Sequence, residues 1–391
     1  MKVETAHRIQ SVKEYYFSKK LKEIASLKKA GKNILNLGIG SPDLPPDPSV
    51  IETLNSSAAN IENHGYQSYY GIPELRVAFA NWYKKRYRVS LNPDSEILPL
   101  IGSKEGIMHI SMTFLNPGDE VLIPDPGYPT YSSATQLAGG TIRKYDLDAK
   151  NHWYPDFTAL EELDLSKVKL MWINYPNMPT GSLPSNQLFE ELISFGRKHN
   201  IIICHDNPYS FILNNTPMSI LSFDRAKECC LELNSLSKSH NMAGWRIGMI
   251  GGCDDFLKEI IKFKSNMDSG MFRPLQEAAI KALSLGDDWY NQINEVYKER
   301  KNKAYQLLDL LGCQFQKDQA GLFVWGKVPK YYKDGFELSD RYLYETDVFI
   351  TPGGIFGDNG NQYIRISICS KSEVLQEANS RINAFLNRKM D

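Results

Sequence analysis

Lys238 stands in a segment whose side chains suit a ligand that carries both an aldehyde and a phosphate. Residues 235–248 read SLSKSHNMAGWRIG. A lysine amine can form an imine with an aldehyde, while the hydroxyls of Ser235 and Ser237 and the guanidinium of Arg246 can hold a phosphate. A Ser-Lys pair alone is usually on the solvated surface, but this whole set in one order indicates a site for pyridoxal phosphate.

Two more polar residues follow an apolar run upstream of this segment. Asp206 ends the run, and Tyr209 is the third residue after it. A carboxylate near the pyridine nitrogen is the second electrostatic partner that this cofactor needs. Alone, an aspartate after a strand is more typical of a helix cap. Asp206 therefore indicates a cofactor site only in combination with the 235–248 segment.

Short apolar runs alternate with helical stretches from about residue 97, which predicts an α/β fold with a mostly parallel sheet sandwiched by helices. The predicted strands are 97–101, 121–123, 169–174, 201–204, 230–233 and 247–250. Polar residues at 102–104, 125–128, 177–181, 206 and 235–238 follow five of these strands. Ligands in open α/β sheets bind outside the carboxyl ends of the strands, so we expect one crevice.

A smaller α+β domain is predicted from the strand patterns at 321–325, 348–350 and 363–367. We predict a large cofactor-binding domain at 46–275 and a small substrate-closing domain at 1–45 plus 276–391. The N-terminal part has helical spacing at 9–30. The glycines of 321–327 match P-loop spacing, but Val328 replaces the required hydroxyl residue and the run indicates a strand.

Composition limits the partners. The chain has 391 residues and a formal net charge of −1, so neither nucleic acid nor an anionic membrane is expected as a partner. It has no apolar run long enough to span a bilayer and no apolar signal region at its start, so we expect a cytoplasmic protein. The six cysteines are interpreted as reduced thiols, and the histidines show no zinc-ligand spacing, so no metal is expected.

These motifs, in this order from about residue 36 to 367, resemble the class I/II aminotransferases of pyridoxal-phosphate fold type I. The resemblance implies that Lys238 carries the cofactor as an imine and moves a proton during catalysis. It implies that Asp206 pairs with the pyridine nitrogen and that Tyr209 donates to the ring's 3′ oxygen. The phosphate site it implies comprises Ser103, Lys104, Ser235, Ser237 and Arg246.

The resemblance extends to four further positions. Tyr128, in Pro-Gly-Tyr, matches the aromatic residue that stacks on the cofactor. Tyr66, before the segment GIPELR at 71–76, matches a residue that reaches the phosphate of a neighbouring subunit, which implies a homodimer with shared sites. Arg365 matches the arginine that holds the substrate α-carboxylate in a bidentate pair, and the Gly40 backbone should approach the same group.

One position departs from the family pattern. Met178, in MPTG, stands where the family has an asparagine that donates to the cofactor's 3′ oxygen. Methionine cannot donate, Asn177 should point elsewhere, and Asn174 is an untested replacement.

The resemblance implies transfer of an amino group between an L-amino acid and a 2-oxo acid, with 2-oxoglutarate as one partner. The aspartate and LL-diaminopimelate aminotransferase branch fits best, and methionine or aromatic substrates also stay open. A C–S lyase or other β-elimination enzyme, or a non-catalytic binding protein of the same fold, are the alternatives. Arg273 could meet a distal carboxylate across a dimer, but a surface role is its more ordinary interpretation.

Overall fold

The computed structural model describes residues 3–10, 12 and 16–388. Its strands are β1 (Leu35–Asn36), β2 (Ile97–Leu100), β3 (Glu120–Asp125), β4 (Thr141–Asp146), β5 (Val168–Ile173), β6 (Ile202–Asp206), β7 (Cys230–Ser235), β8 (Gly248–Gly252), β9 (Phe323–Lys327), β10 (Val348–Phe349), β11 (Thr351–Pro352) and β12 (Tyr363–Ser367). Its α-helices are α1 (His7–Gln10), α2 (Tyr16–Lys29), α3 (Pro48–Ala58), α4 (Pro73–Tyr87), α5 (Ser103–Phe114), α6 (Pro129–Leu137), α7 (Phe157–Glu161), α8 (Asn186–His199), α9 (Leu236–Ser239), α10 (Asp254–Lys264), α11 (Arg273–Leu283), α12 (Asp287–Leu310), α13 (Gly335–Thr346) and α14 (Ser372–Asn387).

A seven-stranded sheet with the order β2-β8-β7-β6-β5-β3-β4 forms the centre of the molecule. All neighbouring pairs are parallel except those of β8, which is antiparallel to both β2 and β7. The prediction of a mostly parallel sheet is confirmed. The edge strand β4 was not predicted, because its sequence TIRKYD is largely exposed, with one buried residue, and lacks an apolar run.

Helices cover both faces of this sheet. Along β5, Leu170 and Trp172 pack into the cluster on the side of α5, α6 and α10. Met171 and Ile173 point to the other side and pack into the larger cluster with residues of α4 and α8. This alternation with burial on both faces explains why the central strands are nearly continuous apolar runs, and it confirms that helices sandwich the sheet.

The smaller part of the chain contains the antiparallel sheet β11-β12-β9 and the parallel pair β1-β10. Residues 323–327 form the strand β9, as expected, and not a phosphate loop. Of the predicted helical stretch at 9–30, residues 11 and 13–15 lie outside the described residues. The division into 46–275 and 1–45 plus 276–391 stays a prediction. None of the described helices is long and apolar enough to cross a membrane.

Candidate active site

A cavity of about 490 Å³ lies at the carboxyl ends of the central strands. Its wall includes every residue that the sequence predicted for one subunit's site: Gly40, Ser103, Lys104, Tyr128, Asp206, Tyr209, Ser235, Ser237, Lys238, Arg246 and Arg365. Tyr66, which the sequence predicted for the site of a neighbouring subunit, is not in this wall and is 93% exposed. The wall also contains residues that the sequence did not single out, among them Tyr131, Phe17, Phe323 and Phe356.

Lys238 lies in the short helix α9, which begins directly after β7. The Ser235 hydroxyl caps this helix by accepting a hydrogen bond from the Ser237 amide, 3.1 Å away. The Lys238 amine donates to the Gly40 carbonyl oxygen over 2.7 Å. Burial lowers the pKa of the Lys238 amine, which makes the neutral, nucleophilic form more accessible. Gly40 therefore contacts the lysine through its carbonyl, a contact that the sequence did not predict.

Asp206 lies at the end of β6, and its side chain is buried. The Tyr131 hydroxyl donates to its Oδ2 over 3.0 Å. Its Oδ1, in contrast, is buried without a hydrogen-bond partner among the described residues. Burial raises the pKa of the Asp206 carboxyl to about 6. The free oxygen atom could accept a hydrogen bond from a protonated ring nitrogen, and a cation there would favour the ionised carboxylate.

Tyr131 was missed because it has no motif of its own. It lies three residues after Tyr128, the residue that precedes α6, and the centroids of the two rings are 5.6 Å apart. Its ring stacks on Trp172 with a centroid distance of 4.9 Å and an interplanar angle of 3°. This stacking fixes the hydroxyl that supports Asp206.

The other end of the cavity has the chemistry of an anion site. Helix α5 begins at Ser103 and Lys104, after Gly102, which has φ of 82° and offers no side chain to cap the first amides. A Cβ at Gly102 would overlap the guanidinium of Arg246, so glycine allows this cation to lie at the helix N-terminus. Arg246 also donates to the Ser237 hydroxyl at 3.4 Å. The amides of a helix N-terminus, the helix dipole and a guanidinium together suit a phosphate.

Arg365 lies on β12 and is enclosed by backbone, sulfur and aromatic rings. Its Nη2 donates to the Gly38 carbonyl oxygen over 2.8 Å, and its Nη1 lies 3.3 Å from the sulfur of Met178. Its Cζ is 3.8 Å from the ring centroid of Phe323 and 4.6 Å from that of Phe356. Cation–π contacts in a dry site hold the guanidinium plane, which suits bidentate binding of a carboxylate.

Met178 and Asn174 both line this cavity, but the side chains of Asn174 and Asn177 form hydrogen bonds in and around the 174–181 turn. Asn174 donates from Nδ2 to the Asp206 carbonyl oxygen over 2.6 Å, and its Oδ1 accepts from the Met178 amide at 2.7 Å. Asn177 bonds to Asn174 and Thr180 within the turn, so it points elsewhere, as expected. Asn174 thus positions the loop that carries Met178, and Tyr209 lies in the same cavity wall.

One group with metal-ligand chemistry, unrecognised in the sequence, lies behind the start of α5. Glu105, His109 and Asp268 offer ligand atoms within 4.8 Å of one another. The His109 Nε2 is 2.8 Å from Glu105, and the Lys264 ammonium is 2.8 Å from Asp268. Because Lys264 already pairs with Asp268 and His109 with Glu105, we assign no metal to this group.

The described donors and acceptors fit pyridoxal phosphate. Lys238 can hold an aldehyde, the start of α5 with Arg246 can hold a phosphate, and the free Oδ1 of Asp206 can accept from the pyridine nitrogen. A sheet of this topology with this lysine, aspartate and arginine set at its carboxyl edge defines a lysine-anchored cofactor enzyme that acts on carboxylate substrates.

Comparisons with known proteins agree with this class. The family model for aminotransferase class I and II matches residues 32–382. The LL-diaminopimelate aminotransferase of Dehalococcoides mccartyi strain 195 is 41% identical over 380 residues, covering 97% of this chain and 98% of that protein. The enzyme of the same name from Oleidesulfovibrio alaskensis is 42% identical over 380 residues, covering 96% and 98%.

Solved structures agree as well. Substrate-bound BacF from Bacillus subtilis has a TM-score of 0.92 and 35% identity and covers 98% of each chain. An aminotransferase from Staphylococcus aureus has a TM-score of 0.89 and 30% identity over 97% of this chain and 98% of that one. The chain belongs to the class I and II aminotransferases. It is a pyridoxal-phosphate-dependent aminotransferase that moves an amino group between an L-amino acid and a 2-oxo acid.

Proposed function

We propose that this aminotransferase takes LL-diaminopimelate as its amino donor and 2-oxoglutarate as its acceptor. The substrate rests on the names of the full-length relatives at about 40% identity. The α-amino acid chemistry rests on one observation, which is that Lys238 and Arg365 line the same cavity. A substrate held there by its carboxylate presents its α-carbon toward the lysine.

In this proposal Arg365 binds the substrate α-carboxylate. The rings of Phe323 and Phe356 exclude water from the guanidinium, and exclusion of water strengthens a charge-assisted pair. Lys238 would anchor the cofactor, and its amine would accept the proton that leaves the substrate's α-carbon. The Gly40 carbonyl oxygen, 2.7 Å from Nζ, would hold this amine in place.

Pyridoxal phosphate, when bound, supplies the electron-accepting ring that makes loss of the α-proton possible. Asp206 would hold a proton on the ring nitrogen, and the hydrogen bond from Tyr131 keeps the carboxylate oriented. Tyr209 would donate a hydrogen bond to the 3′ oxygen, and Tyr128 would pack against the ring. The phosphate would be held by Ser103, Lys104, Ser235, Ser237 and Arg246. Each of these assignments is a proposal about the residues of one cavity wall.

A substrate panel tests the function. The purified, cofactor-loaded protein is mixed with 2-oxoglutarate and, in separate reactions, LL-diaminopimelate, aspartate, methionine, phenylalanine, tyrosine or L-cystathionine, the last of which carries a sulfur leaving group on its β-carbon. Glutamate, ammonia and pyruvate are then measured. We expect glutamate with LL-diaminopimelate as the preferred donor. Preference for another donor would overturn the substrate, ammonia with pyruvate would indicate a β-elimination enzyme, and no product at all would favour a binding protein.

We also propose that two copies of the chain pair through the face that carries Tyr66. Six large apolar side chains on 61–70 and 267–272 are exposed: Ile61, Tyr66, Tyr69, Tyr70, Met267 and Phe272. The His64 and Phe272 rings are 5.7 Å apart, so the two segments form one face. An exposed apolar face of this kind is typical of a protein interface, and a symmetric dimer would let Tyr66 reach the partner's phosphate site.

A further inference from the structure

A carboxylate outside the active-site cavity joins the large sheet to the loop that carries Phe356. Asp125 ends β3, its side chain is buried, and it lies three residues before Tyr128. Across from it, residues 353–360 form two successive 3-10 turns between β11 and β12. We call this segment the 353–360 loop.

The Asp125 carboxylate caps the second of these turns from outside it. Its Oδ2 accepts from the Asp358 amide at 3.1 Å and its Oδ1 accepts from the Asn359 amide at 3.0 Å. Gly357 precedes the turn with φ of 144°, and a Cβ at this position would overlap Asp125 Oδ1. The glycine thus allows the close approach, and the carboxylate satisfies the first amides of the turn.

Five more contacts join the β3–β4 edge of the large sheet to the 353–360 loop, a contact region that we call the seam. The Gly127 amide donates to the Phe356 carbonyl oxygen over 2.8 Å. The Asn359 side-chain amide donates to the Asp125 carbonyl oxygen at 3.1 Å and to Asp146 at 2.7 Å. The Lys144 ammonium bridges Asp125 and Asp358 at 2.9 and 2.7 Å. Because Lys144 and Asp358 are largely solvent-exposed, the buried Asp125–amide bonds contribute more than this ion pair.

The two segments that meet at this seam both continue into the wall of the active-site cavity. Phe356, one residue before Gly357, packs its ring 4.6 Å from the Arg365 guanidinium. Tyr128 lines the cavity that is proposed to hold the cofactor. We infer that Asp125 is a positioning residue for substrate binding: it fixes the 353–360 loop so that Phe356 holds Arg365 in its carboxylate-binding orientation. The inference rests on the proposed role of Arg365.

Asp125→Asn tests the inference, because asparagine keeps the size of the side chain but places an NH₂ group against one of the two backbone amides. We expect hydrogen–deuterium exchange of a peptide covering 353–362 to become faster. We also expect the Kd for 2-oxoglutarate, titrated by calorimetry into the cofactor-loaded protein without amino donor, to rise about tenfold. KM for the amino donor should rise more than kcat falls.

Asp146→Asn is the matched control, because it keeps the acceptor oxygen that faces Asn359, and neither exchange nor affinity should change. Asn359→Ala removes the side-chain hydrogen bonds to Asp125 and Asp146 at the same seam but keeps the Asp125–amide bonds. It should shift both readouts in the same direction by less, which keeps the test available if Asp125→Asn folds poorly. Arg365→Lys separates the two proposals. If it weakens 2-oxoglutarate binding while Asp125→Asn and Asn359→Ala do not, the role of Asp125 is wrong; if Arg365→Lys has no effect, the carboxylate site itself is wrong.

Discussion

The sulfur of Met178 lies 3.3 Å from Nη1 of Arg365, in the position of a hydrogen-bond acceptor. A thioether is a weak acceptor, so it orients the guanidinium without neutralising its charge. The residue that departs from the family pattern therefore touches the group proposed to bind substrate. Methionine, unlike the asparagine of the family pattern, also supplies no hydrogen-bond donor to the cavity that Met178 and Tyr209 line.

Met178→Asn should lower the pH at which the visible absorption of the bound cofactor titrates. The new amide can donate to the cofactor's 3′ oxygen, and a hydrogen bond to the charged form of an acid favours that form. The Asn174 side chain is already bonded to Asp206 and Met178, which supports the view that the native protein lacks a second donor. Met178→Leu, which adds no donor, should leave the midpoint where it is. Equal midpoints in the native protein and Met178→Asn would mean that another group already donates.

Arg365→Lys should be a severe change although it keeps the charge. A lysine ammonium cannot make the planar bidentate pair or stack between Phe323 and Phe356 as the guanidinium does. We expect kcat/KM for the amino donor to fall by a factor that corresponds to about 2 kcal/mol or more of lost transition-state stabilisation, the range for hydrogen bonds to charged groups. Steady-state kinetics measure this, and values close to those of the native protein would place the carboxylate elsewhere.

Asp206→Asn should stabilise the cofactor-free protein at neutral pH. Burial raises the pKa of Asp206 from 3.8 to about 6, so the folded state binds the proton more tightly than the unfolded state. The free energy of unfolding therefore falls as pH rises from about 4 to 6, by about 3 kcal/mol for a shift of this size. Asparagine does not ionise and should lack this loss. Urea unfolding at pH 4.5 and 8 should show a growing advantage for the variant, and a constant difference would refute the buried-charge explanation.

The proposed shared site predicts complementation between two defective subunits. Tyr66→Phe and Lys238→Ala proteins should each be strongly impaired, but a mixed dimer has one site with both native residues. After subunit exchange, shown by native mass spectrometry, activity should recover to about a quarter of the native level, the share expected if one site in the statistical half of mixed dimers works. Exchange without recovery would count against Tyr66 acting across the interface.

The sheet could be predicted because its central strands are buried on both faces and are therefore nearly continuous apolar runs. The edge strand β4 was not predicted, because its sequence TIRKYD mixes polar and apolar residues without a clear pattern. The cavity wall was predictable where a residue type is dictated by chemistry, as at Lys238, Asp206 and Arg365. The contact between Met178 and Arg365 joins residues 187 positions apart, and no local pattern reports such a meeting.

The same reasoning explains why the support around the site was missed. Tyr131 and Asp125 act on Asp206 and on the 353–360 loop through hydrogen bonds that depend on the packing of separate elements. Phe323 and Phe356 look like ordinary core residues in sequence, and their role emerges only when β9 and the 353–360 loop close around Arg365. Side chains that touch other side chains carry little sequence signal of their own.

The central claim, that Lys238 anchors pyridoxal phosphate, is tested most directly by reducing the cofactor-loaded protein with borohydride and locating the modified residue by peptide mass spectrometry. We predict a pyridoxyl-phosphate mass on the peptide that contains Lys238. A Lys104→Gln variant, which alters the other lysine in the cavity wall, should still be labelled at Lys238, and Lys238→Ala should carry no label. Stoichiometric labelling of a different lysine in the native protein would contradict the account.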